Sequence, residues 1–369
     1  MFMSKMRLIM VGGFLGSGKT TLIINLGRKF ISEFGRRIAI ITNDQGNVLV
    51  DTKIAEMLGF TYAEVTHGCF CCRFPDFMMR IQEILNKINP DIILAEPVGS
   101  CADLLATVYA PLNKYYKETV DLSPYLVLID SSTILDYNQK FNLVSPREPI
   151  GFLLSWQIKE AEILGINKVD LVSNRQIEIV EELVKKINSE AEIIQVSAKT
   201  GYNIDKLIEI LLTRNHRSRS SLDIKYDVYG RAEEEFGWFN ASCKIMFKQP
   251  VDLEDYARSL MNEVAERINT RGGLIAHEKM LFFTRENSVK ASFIVSKGII
   301  DFIGKLPLKL NEVNIIVNIR AKLTPEHITE SVEEAFNIVN FRFNGERKNW
   351  IFNSFKPQYP IPYYRLPHT

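Results

Sequence analysis

Residues 7–20 read RLIMVGGFLGSGKT, and this stretch decides the fold of the first part of the chain. Its first half is an apolar run, typical of a strand that is buried on both faces of a parallel sheet. Its second half, Gly13 to Thr20, fits the pattern G-x-x-x-x-G-K-[ST] at the point where a helix should begin. The glycines let backbone amides turn inward, and the helix N-terminus adds a favourable dipole for anions. The stretch therefore predicts a loop that binds the phosphates of a nucleotide.

The residue types of this loop predict separate tasks. Lys19 should contact the β- and γ-phosphates, the Thr20 hydroxyl should ligate Mg²⁺, and Thr21 is placed for the α-phosphate. The remaining nucleotide-binding positions of the loop are Gly13, Gly16, Ser17 and Gly18. The alternative, a chance glycine-rich turn, is disfavoured by the strand-like run before the loop and the helical pattern after it.

Strand-like runs alternate with helical patterns through residues 1–212. This alternation predicts an α/β domain with a doubly wound, mostly parallel sheet and helices on both faces. The predicted strands are 7–13, 37–43, 91–97, 125–130, 162–168 and 192–198, and the predicted helices are 20–30, 76–89, 150–160 and 175–188.

A polar, basic segment at residues 213–225 predicts a linker. Beyond it the regular alternation of strand-like runs and helical patterns ends. Residues 226–345 should form a smaller α+β domain. Its predicted strands are 239–247, 274–284, 288–296 and 311–321, and its predicted helices are 251–268 and Thr324 to Asn337. Residues 346–369, which end in a run rich in Pro and Tyr, should be an extended tail.

The tetrapeptide from Asn167 to Asp170 predicts which base is bound. It follows a buried strand, where the Asp170 carboxylate could accept from N1–H and N2–H₂ of guanine, and adenine offers neither donor there. Asn167 and Lys168 complete the motif. The backbone of Ser197, Ala198 and Lys199 could reach the guanine O6. This ordered set, after a phosphate-binding loop, predicts GTP rather than ATP.

Two segments are expected to sense the γ-phosphate, although no D-x-x-G follows a strand at the usual place. Glu96 at a strand end could hold Mg²⁺ through water, and Gly99 could offer its amide to the γ-phosphate. Asn43 to Gly46 end the second strand, and Asp44 is the candidate for metal contact or for positioning the attacking water. The alternative for Asp44 is a turn residue that caps the local backbone. Lys19, Asp44, Glu96 and Gly99 are the predicted catalytic residues.

Three of the five cysteines lie in HGCFCC, residues 67–72. Cys69, Cys71 and Cys72 could bind Zn²⁺, Co²⁺ or Ni²⁺, could include a redox pair, or could be small buried apolar residues. In an extended chain Cys69 and Cys71 share a face and Cys72 does not, so one ion requires a turn at residues 70–72.

The fourth partner of a tetrahedral ion is open at this stage. His67, water, a client residue or a second subunit could supply it. Cys101 and Cys243 are expected to be buried structural residues, although Cys101, five residues after Glu96, could approach the site.

Taken in order, GGFLGSGKTTL, NDQG, GCFCC, the Glu96-x-x-Gly99 motif, QIKEAEILGINKVD and SAKTG resemble the CobW-like GTPases, relatives of the urease and hydrogenase maturation GTPases. The resemblance covers about 200 residues, through several motifs in sequence. It implies a GTP-hydrolysing metallochaperone, or an assembly factor for a metallocentre or corrinoid protein. Members bind a transition metal, often Zn²⁺ or Co²⁺, through C-x-C-C, and many form homodimers.

This chain departs from that pattern in three places. Asp44 stands where the family usually has Glu, a His-rich tract is absent from the sequence, and residues 226–369 do not clearly match the usual second domain. The client is therefore expected to be a metallo- or corrinoid-dependent protein, without a more specific identity.

Composition disfavours several other classes. The 45 basic and 44 acidic residues nearly cancel, which gives no reason to expect nucleic acid or an anionic membrane as a partner. The apolar run Leu8–Leu15 is too short to span a bilayer. Five cysteines argue against a secreted disulfide framework. We therefore expect a cytoplasmic protein.

The leading hypothesis is a GTPase that binds a transition metal through its cysteines and couples metal affinity to nucleotide state. The coupling is expected because the cysteines lie between the two segments that should sense the γ-phosphate. The alternative is a GTPase switch with a structural zinc whose second domain docks a partner protein. A P-loop kinase for a small molecule is disfavoured by NKVD and SAKTG.

Overall fold

The structure is a computed structural model of the 369-residue chain. It describes residues 5–43, 50, 53, 58–66, 68–217, 224–294, 298–305, 307 and 309–367. The candidate catalytic residue Asp44 and the candidate ligand His67 lie outside the described residues. The chain divides into two compact units. The first comprises Met1–Gln45, Asp51–Ala232 and Tyr359–Thr369, and the second comprises Gly46–Val50 and Glu233–Gln358.

The first unit is built on an eight-stranded sheet in which every described pairing is parallel. Its strands are β1 Met6–Gly13, β2 Ile38–Asn43, β3 Thr61–Val65, β4 Ile92–Glu96, β5 Val120–Leu122, β6 Leu126–Asp130, β7 Ile163–Asn167 and β8 Glu192–Gln195. The order is β3-β2-β4-β1-β6-β7-β8, with β5 beside the start of β1. Because parallel strands end at one edge, the carboxyl ends of β1, β2, β4 and β7 lie at the same edge of the sheet.

Helices cover the buried strands of this sheet. They are α1 Lys19–Ser32, α2 Phe74–Ile88, a π-helical turn Leu105–Tyr109 running into α3 Ala110–Tyr115, α4 Ile134–Phe141, α5 Pro149–Glu160, α6 Asn174–Ile187 and α7 Ile204–Thr213. All eight residues of β1 are buried, and α1 packs Leu22, Leu26 and Phe30 into the same core. The predicted doubly wound α/β fold is confirmed.

Two strands of this sheet were not expected from the sequence. The edge strand β3, TYAEV, is mostly half-buried, so it lacks the continuous apolar run of its neighbours. The strand β5 has three residues, which is too short to give a period.

The second unit is an antiparallel six-stranded sheet with helices packed on one face. Helix α8 Tyr226–Glu234 spans the boundary between the units. The remaining elements are β9 Gly237–Asp252, α9 Leu253–Thr270, β10 Leu274–Phe283, β11 Ser288–Ile294, β12 Ile299–Lys305, β13 Lys309–Lys322, α10 Pro325–Phe343 and β14 Gly345–Phe355. The strand order is β12-β11-β10-β13-β9-β14. Alternate residues of β13, among them Ile315, Val317 and Ile319, join α9 and α10 in one core, as the two-residue period of a strand requires.

The boundary of the second unit differs from the sequence expectation. Residues 346–355 do not belong to an extended tail, because Gly345–Phe355 pairs with β9 as an edge strand. The pairing shifts register between Lys348 and Ile351, and Asn349 has a φ of 52°. This irregularity breaks the alternation by which a strand is recognised. Residues 359–367 instead belong to the first unit.

Among the described residues, the helices are each too short or too polar to cross a bilayer.

Candidate functional site

The loop between β1 and α1 has a backbone that only glycine adopts readily. Gly13, Gly16 and Gly18 have φ values of 124°, 80° and 98°. A Cβ at Gly13 would clash with the Leu128 carbonyl oxygen, and a Cβ at Gly18 would clash with the Asn167 amide. The loop is therefore packed closely against Leu128 of β6 and Asn167 of β7, directly before the N-terminus of α1.

Lys19 and Thr20, at the start of α1, form hydrogen bonds to the loop and to the end of β4. The Lys19 ammonium donates to the carbonyl oxygens of Gly13 and Phe14, at 2.9 and 3.2 Å. The Thr20 hydroxyl donates to Glu96 Oε1 at 3.0 Å, and both residues are buried. A hydroxyl and a carboxylate held together are the hard oxygen donors that Mg²⁺ prefers, so the residues present fit this ion.

Gly99 lies against the same loop. A Cβ on Gly99 would stand 3.0 Å from Lys19 Nζ and 2.8 Å from Leu15 Cδ2, so a side chain at this position would crowd the lysine. The carboxyl ends of β1 and β4 thus bring Lys19, Thr20, Glu96 and Gly99 together.

The segments after β7 and β8 meet at the opposite flank of the loop. The Asn167 side-chain amide donates to the Ser17 carbonyl oxygen at 2.7 Å and accepts from the Ala198 amide at 2.9 Å. The Ser197 hydroxyl donates to Asp170 Oδ1 at 2.6 Å. One carboxylate oxygen of Asp170 is therefore held by Ser197, which fixes the orientation of the exposed Asp170 side chain.

Lys168 is anchored by a residue that the sequence did not single out. Its φ is 63°, and its ammonium lies 2.6 Å from Asp130 Oδ2. Asp130 ends β6, the parallel neighbour of β7, and this position at a strand end is the signal that would have found it. Thr21 is half-buried and Lys199 is exposed.

The three clustered cysteines share one place. Their Sγ atoms all lie within 4.8 Å of one another. The separations are 2.8 Å for Cys69 to Cys71, 3.1 Å for Cys69 to Cys72 and 3.9 Å for Cys71 to Cys72. The cysteines are free thiols, with no disulfide among them. The chain turns at residues 70–73, where the Arg73 amide donates to the Cys69 carbonyl oxygen, so the turn that a shared ion requires is present.

The thiols perturb one another's acidity. Hydrogen bonds from Cys101 and then from Cys71 and Cys72 hold the pKa of the Cys69 thiol well below its ordinary value. Hydrogen bonds with Cys101 and Cys69, together with burial, raise the pKa of Cys71. The hydrogen bond to Cys69 raises the pKa of Cys72 to about 12. The cluster therefore lowers the pKa of one thiol and raises the pKa of its two neighbours, and a divalent cation bound there would favour all three thiolates.

Asn43, the last residue of β2, holds the cysteine loop. Its amide nitrogen donates to the carbonyl oxygens of Val65 and Gly68, at 2.9 and 2.7 Å. Its side-chain oxygen accepts from the Phe70 amide at 2.8 Å. Sequence reasoning placed Asn43 in a switch but missed this role, which tertiary contacts alone reveal.

The segment after β4 also reaches the cysteines. Cys101, which we expected to be structural although it could approach the site, forms hydrogen-bond contacts with the side chains of Cys69 and Cys71. The Gln157 side-chain amide of α5 donates to the carbonyl oxygens of Gly99 and Cys101, at 2.9 and 2.8 Å. The backbone of residues 99–101 is thereby fixed beside the thiols.

Residues 359–367, called the strap here, cross the cysteine loop. The Tyr363 amide donates to the Cys71 carbonyl oxygen at 2.8 Å. The Arg365 guanidinium donates to Asp103 Oδ2 at 2.8 Å, and Tyr226 donates to the same oxygen, also at 2.8 Å. The strap is thus held by hydrogen bonds at Tyr363 and at Arg365. Apart from the Pro and Tyr content of residues 346–369, no sequence pattern predicts these contacts.

The fold and site define a nucleotide-binding protein of the P-loop class. The profile of the CobW/HypB/UreG nucleotide-binding domain matches residues 7–195, which is more than half of the 369-residue chain. The chain belongs to the CobW/HypB/UreG family, and the resemblance found in the sequence is confirmed.

Several known proteins are similar to the chain. Zinc-regulated GTPase metalloprotein activator 1 of Dictyostelium discoideum is 26% identical over 219 residues, 52% of this chain and 46% of that protein. The zinc chaperone CobW of Sinorhizobium sp is 27% identical over 212 residues, 52% of this chain and 58% of that protein. The chain spans about half the length of these curated relatives. Among solved structures, the hydrogenase maturation factor HypB of Archaeoglobus fulgidus is 22% identical, with 56% of this chain and 89% of that chain covered and a TM-score of 0.39.

Proposed function

We propose that this chain is a Mg²⁺-dependent GTPase that binds a transition metal ion through Cys69, Cys71 and Cys72 and couples its metal affinity to its nucleotide state. It would serve as a metallochaperone or as an assembly factor for a metallocentre or corrinoid protein. One observation carries the proposal. The side chain of Asn43, one residue before Asp44 of the expected switch, holds the loop that bears the thiols.

The nucleotide is proposed to lie along the loop after β1. The phosphates would contact the backbone of the loop and the Lys19 ammonium, and the base would contact Asp170. The positive φ of three loop glycines and the Ser197 hydrogen bond to Asp170 support this placement. The proposed contact residues are Gly13, Gly16, Ser17, Gly18, Lys19, Thr20, Thr21, Asn167, Lys168, Asp170, Ser197, Ala198 and Lys199.

The proposed hydrolytic residues surround the expected γ-phosphate. Lys19 would stabilise charge on the phosphoryl oxygens, and Gly99 would donate its amide. Thr20 and Glu96 would hold Mg²⁺, which neutralises phosphate charge when bound. Asp44 is proposed from the sequence alone, as the residue that positions the attacking water.

The thiol cluster is proposed to bind Zn²⁺, or another transition metal such as Co²⁺, as cargo. Thiolates are soft ligands that suit these ions. In a tetrahedral zinc–thiolate site the sulfurs stand about 3.8 Å apart, given Zn–S bonds of about 2.3 Å. The observed range of 2.8 to 3.9 Å needs small adjustments to reach that geometry. The names of the similar proteins also include zinc, which supports the same proposal.

Coupling is proposed to run through the segments after β2 and β4. GTP and Mg²⁺ would hold both segments in one arrangement, and hydrolysis would release them. Because the Asn43 side chain is hydrogen-bonded to the cysteine loop, a shift of the end of β2 would change the thiolate geometry. By linkage, metal would change GTP affinity by the same factor.

The partner is proposed to be a metallo- or corrinoid-dependent client protein that receives the ion in the cytoplasm. The chain is proposed to act as a homodimer, as the family resemblance implies.

The enzymatic and metal-binding parts of the proposal can be tested together. Phosphate release should be seen with GTP and Mg²⁺, should be much lower with ATP, and should be lost in Lys19→Ala. Zinc titration of the reduced protein should show one tight site, lost in Cys71→Ser. Tight zinc binding in Cys71→Ser, or hydrolysis without GTP preference, would contradict the proposal.

The second candidate function is a GTPase switch with a structural zinc, whose second unit docks a partner protein. The burial of Cys69 and Cys71, which are 5% and 2% exposed, favours it because a sealed site releases metal slowly. Transfer of zinc to a chelator during GTP turnover would support delivery, whereas retention through many turnovers would support the structural role.

A further inference from the structure

We propose that Cys69 and Cys72 are a reversible redox pair, and that their oxidation to a disulfide by hydrogen peroxide prevents the thiol cluster from holding a metal ion. This inference concerns the regulation of the same site, and its second half rests on the proposed function. The residue types left a metal site and a redox pair as alternatives, whereas the geometry allows one cluster to serve as each in turn.

The positions of the sulfurs are the first argument. Cys69 Sγ lies 2.8 Å from Cys71 Sγ and 3.1 Å from Cys72 Sγ, whereas the sulfurs of Cys71 and Cys72 are 3.9 Å apart. Cys69 is therefore the thiol with two close sulfur neighbours. A disulfide bond of about 2.05 Å requires Cys69 Sγ and Cys72 Sγ to approach by about 1 Å, a distance that rotation of the two side chains can close.

The local backbone favours the pair that is three residues apart. Residues 70–73 form a turn in which the Arg73 amide donates to the Cys69 carbonyl oxygen at 2.9 Å. In a helical turn of this kind, positions i and i+3 are neighbours on one side. The adjacent residues Cys71 and Cys72 have Cα atoms about 3.8 Å apart, below the range of about 4.4–6.8 Å that disulfides prefer. The turn therefore disfavours a bond between Cys71 and Cys72.

Exposure decides where oxidation begins. Cys72 is half-buried, whereas Cys69 and Cys71 are only 5% and 2% exposed. A small oxidant in water therefore meets the Cys72 sulfur first. Cys69 is the nearer of the two other thiols to that sulfur, at 3.1 Å against 3.9 Å for Cys71. Cys69 is thus the thiol that resolves the oxidised Cys72.

The chemistry has two steps. The Cys72 sulfur attacks one oxygen of hydrogen peroxide, the O–O bond breaks, and the departing hydroxide takes the thiol proton to become water, which leaves a sulfenic acid. The Cys69 sulfur then attacks the Cys72 sulfur, the S–O bond breaks as the S–S bond forms, and the departing hydroxide takes the Cys69 proton. Two thiols are oxidised by two electrons, and one peroxide is reduced to two waters.

The disulfide would abolish the metal site. Thiolates are the ligands of such ions, so joining Cys69 to Cys72 removes two of the three thiolates and leaves Cys71 alone. A bound ion would in turn occupy the sulfurs that the oxidant must reach, so metal binding and oxidation exclude each other. A dithiol such as dithiothreitol would restore the site by exchange, because it attacks the disulfide and leaves two thiols behind.

The pairing can be mapped in the zinc-free, reduced full-length protein, without any variant. After treatment with hydrogen peroxide, free thiols are blocked with a first alkylating label, the disulfide is reduced, and the released thiols take a second label. We expect mass spectrometry to find the second label on Cys69 and Cys72 and the first label on Cys71. A second label on Cys71 or Cys101, or no second label at all, would overturn the inference.

Variants test the separate tasks of the two thiols. In Cys69→Ser the oxidised Cys72 has no close resolving thiol, so it should proceed to the sulfinic acid, which dithiothreitol does not reverse. Cys243→Ser is the matched control, because Cys243 is also 5% exposed but lies in the core of the second unit. It should form the disulfide at the wild-type rate. Reversible oxidation of Cys72 in Cys69→Ser would overturn the assignment of Cys69.

Zinc provides the last readout. With free zinc at about ten times its Kd, disulfide formation should slow by about 10-fold, because only the metal-free fraction reacts. The oxidised protein should bind zinc more than about 100-fold more weakly than the reduced protein, since losing even a supporting residue costs up to that factor. Equal zinc affinities would overturn the inference and leave the proposed function standing. Absence of zinc binding by the reduced protein would overturn the proposed function, whereas the label map would still decide the pairing.

Discussion

At the residue scale, Asn43 and Cys101 are two residues that connect the thiols to segments beside the phosphate-binding loop. Asn43 makes this connection through three hydrogen bonds. Cys101 makes it through its side chain, which contacts Cys69, and through the turn in which its amide donates to the Val98 carbonyl oxygen. Each side chain is at least nine-tenths buried. We therefore expect both to transmit small backbone shifts, since packed interiors do not absorb them.

Removing the Asn43 side chain should loosen the cysteine loop. In Asn43→Ala the Val65 and Gly68 carbonyls and the Phe70 amide each lose a partner. Loss of such supporting contacts to a metal site typically costs 10–100-fold in affinity, so zinc affinity should fall by about that factor. Asn188→Ala is the matched control, because Asn188 is also 7% exposed and donates to backbone carbonyls of the same unit. Competitive zinc titration measures the zinc affinity of both variants. Equal zinc affinities in Asn43→Ala and Asn188→Ala would contradict the role of Asn43.

Asp170 should decide the base. Asp170→Asn exchanges an acceptor for a donor, so the variant should lose affinity for GTP and gain affinity for XTP. The change in preference should be on the order of 10⁴-fold, as for sites built on paired hydrogen bonds. Titration with the two nucleotides checks it. Retained GTP preference in the folded variant would count against the assignment.

Sequence motifs predicted the residues whose role is local and missed those whose role is tertiary. The glycines after β1 and the Asn167–Asp170 motif follow from spacing beside a strand. The hydrogen bonds of Asn43 to Val65, Gly68 and Phe70 depend on how β2 and the cysteine loop pack. No pattern within either segment encodes that packing.

At the scale of elements, buried parallel strands were predictable because both faces are apolar, as all eight residues of β1 show. The edge strands β3 and β14 were not predicted. β3 is half-exposed, and β14 contains an irregularity at Lys348–Ile351. The strap has no periodic signal, because its contacts combine backbone amides, one ion pair and the ring of Tyr364 against Phe74 and Tyr115.

The strap should slow metal exchange. Arg365 pairs with Asp103, whose side chain is 5% exposed, so Arg365→Ala would release one anchor of the strap. Zinc transfer to a chelator should become faster, by about 10-fold if the pair contributes about 1.4 kcal/mol to closure. Arg231→Ala, which removes an exposed pair with Asp227, is the control. Equal transfer rates in the wild-type protein and Arg365→Ala would contradict a covering role.

At the scale of the whole molecule, the second unit contains a buried carboxyl group that should make its stability depend on pH. Glu278 is 2% exposed, and neither of its carboxylate oxygens has a hydrogen-bond partner among the described residues. It shares the helix-facing side of β10 with Met280 and Phe282 of the core. Burial raises the pKa of Glu278 well above its ordinary value.

The sign of this effect follows from proton binding. Because the folded pKa exceeds the unfolded value of about 4.3, the folded state binds more protons, and stability falls as pH rises through that interval. Glu278→Met should therefore unfold at a higher temperature than the wild-type protein at pH 8, with a smaller difference at pH 5. Glu266→Met, at an exposed helix position, should show little change at either pH. A pH-independent difference for Glu278→Met would contradict this assignment.

The central claim is that metal affinity and nucleotide state are coupled within the first unit. Competitive zinc titration of the reduced protein, with GDP and then with a non-hydrolysable GTP analogue, tests it most directly. We expect the two zinc affinities to differ by a factor within about 5–150, the usual range of coupling between sites. By reciprocity, zinc should change the affinity for the GTP analogue relative to GDP by the same factor. Equal zinc affinities in the two nucleotide states would contradict the account.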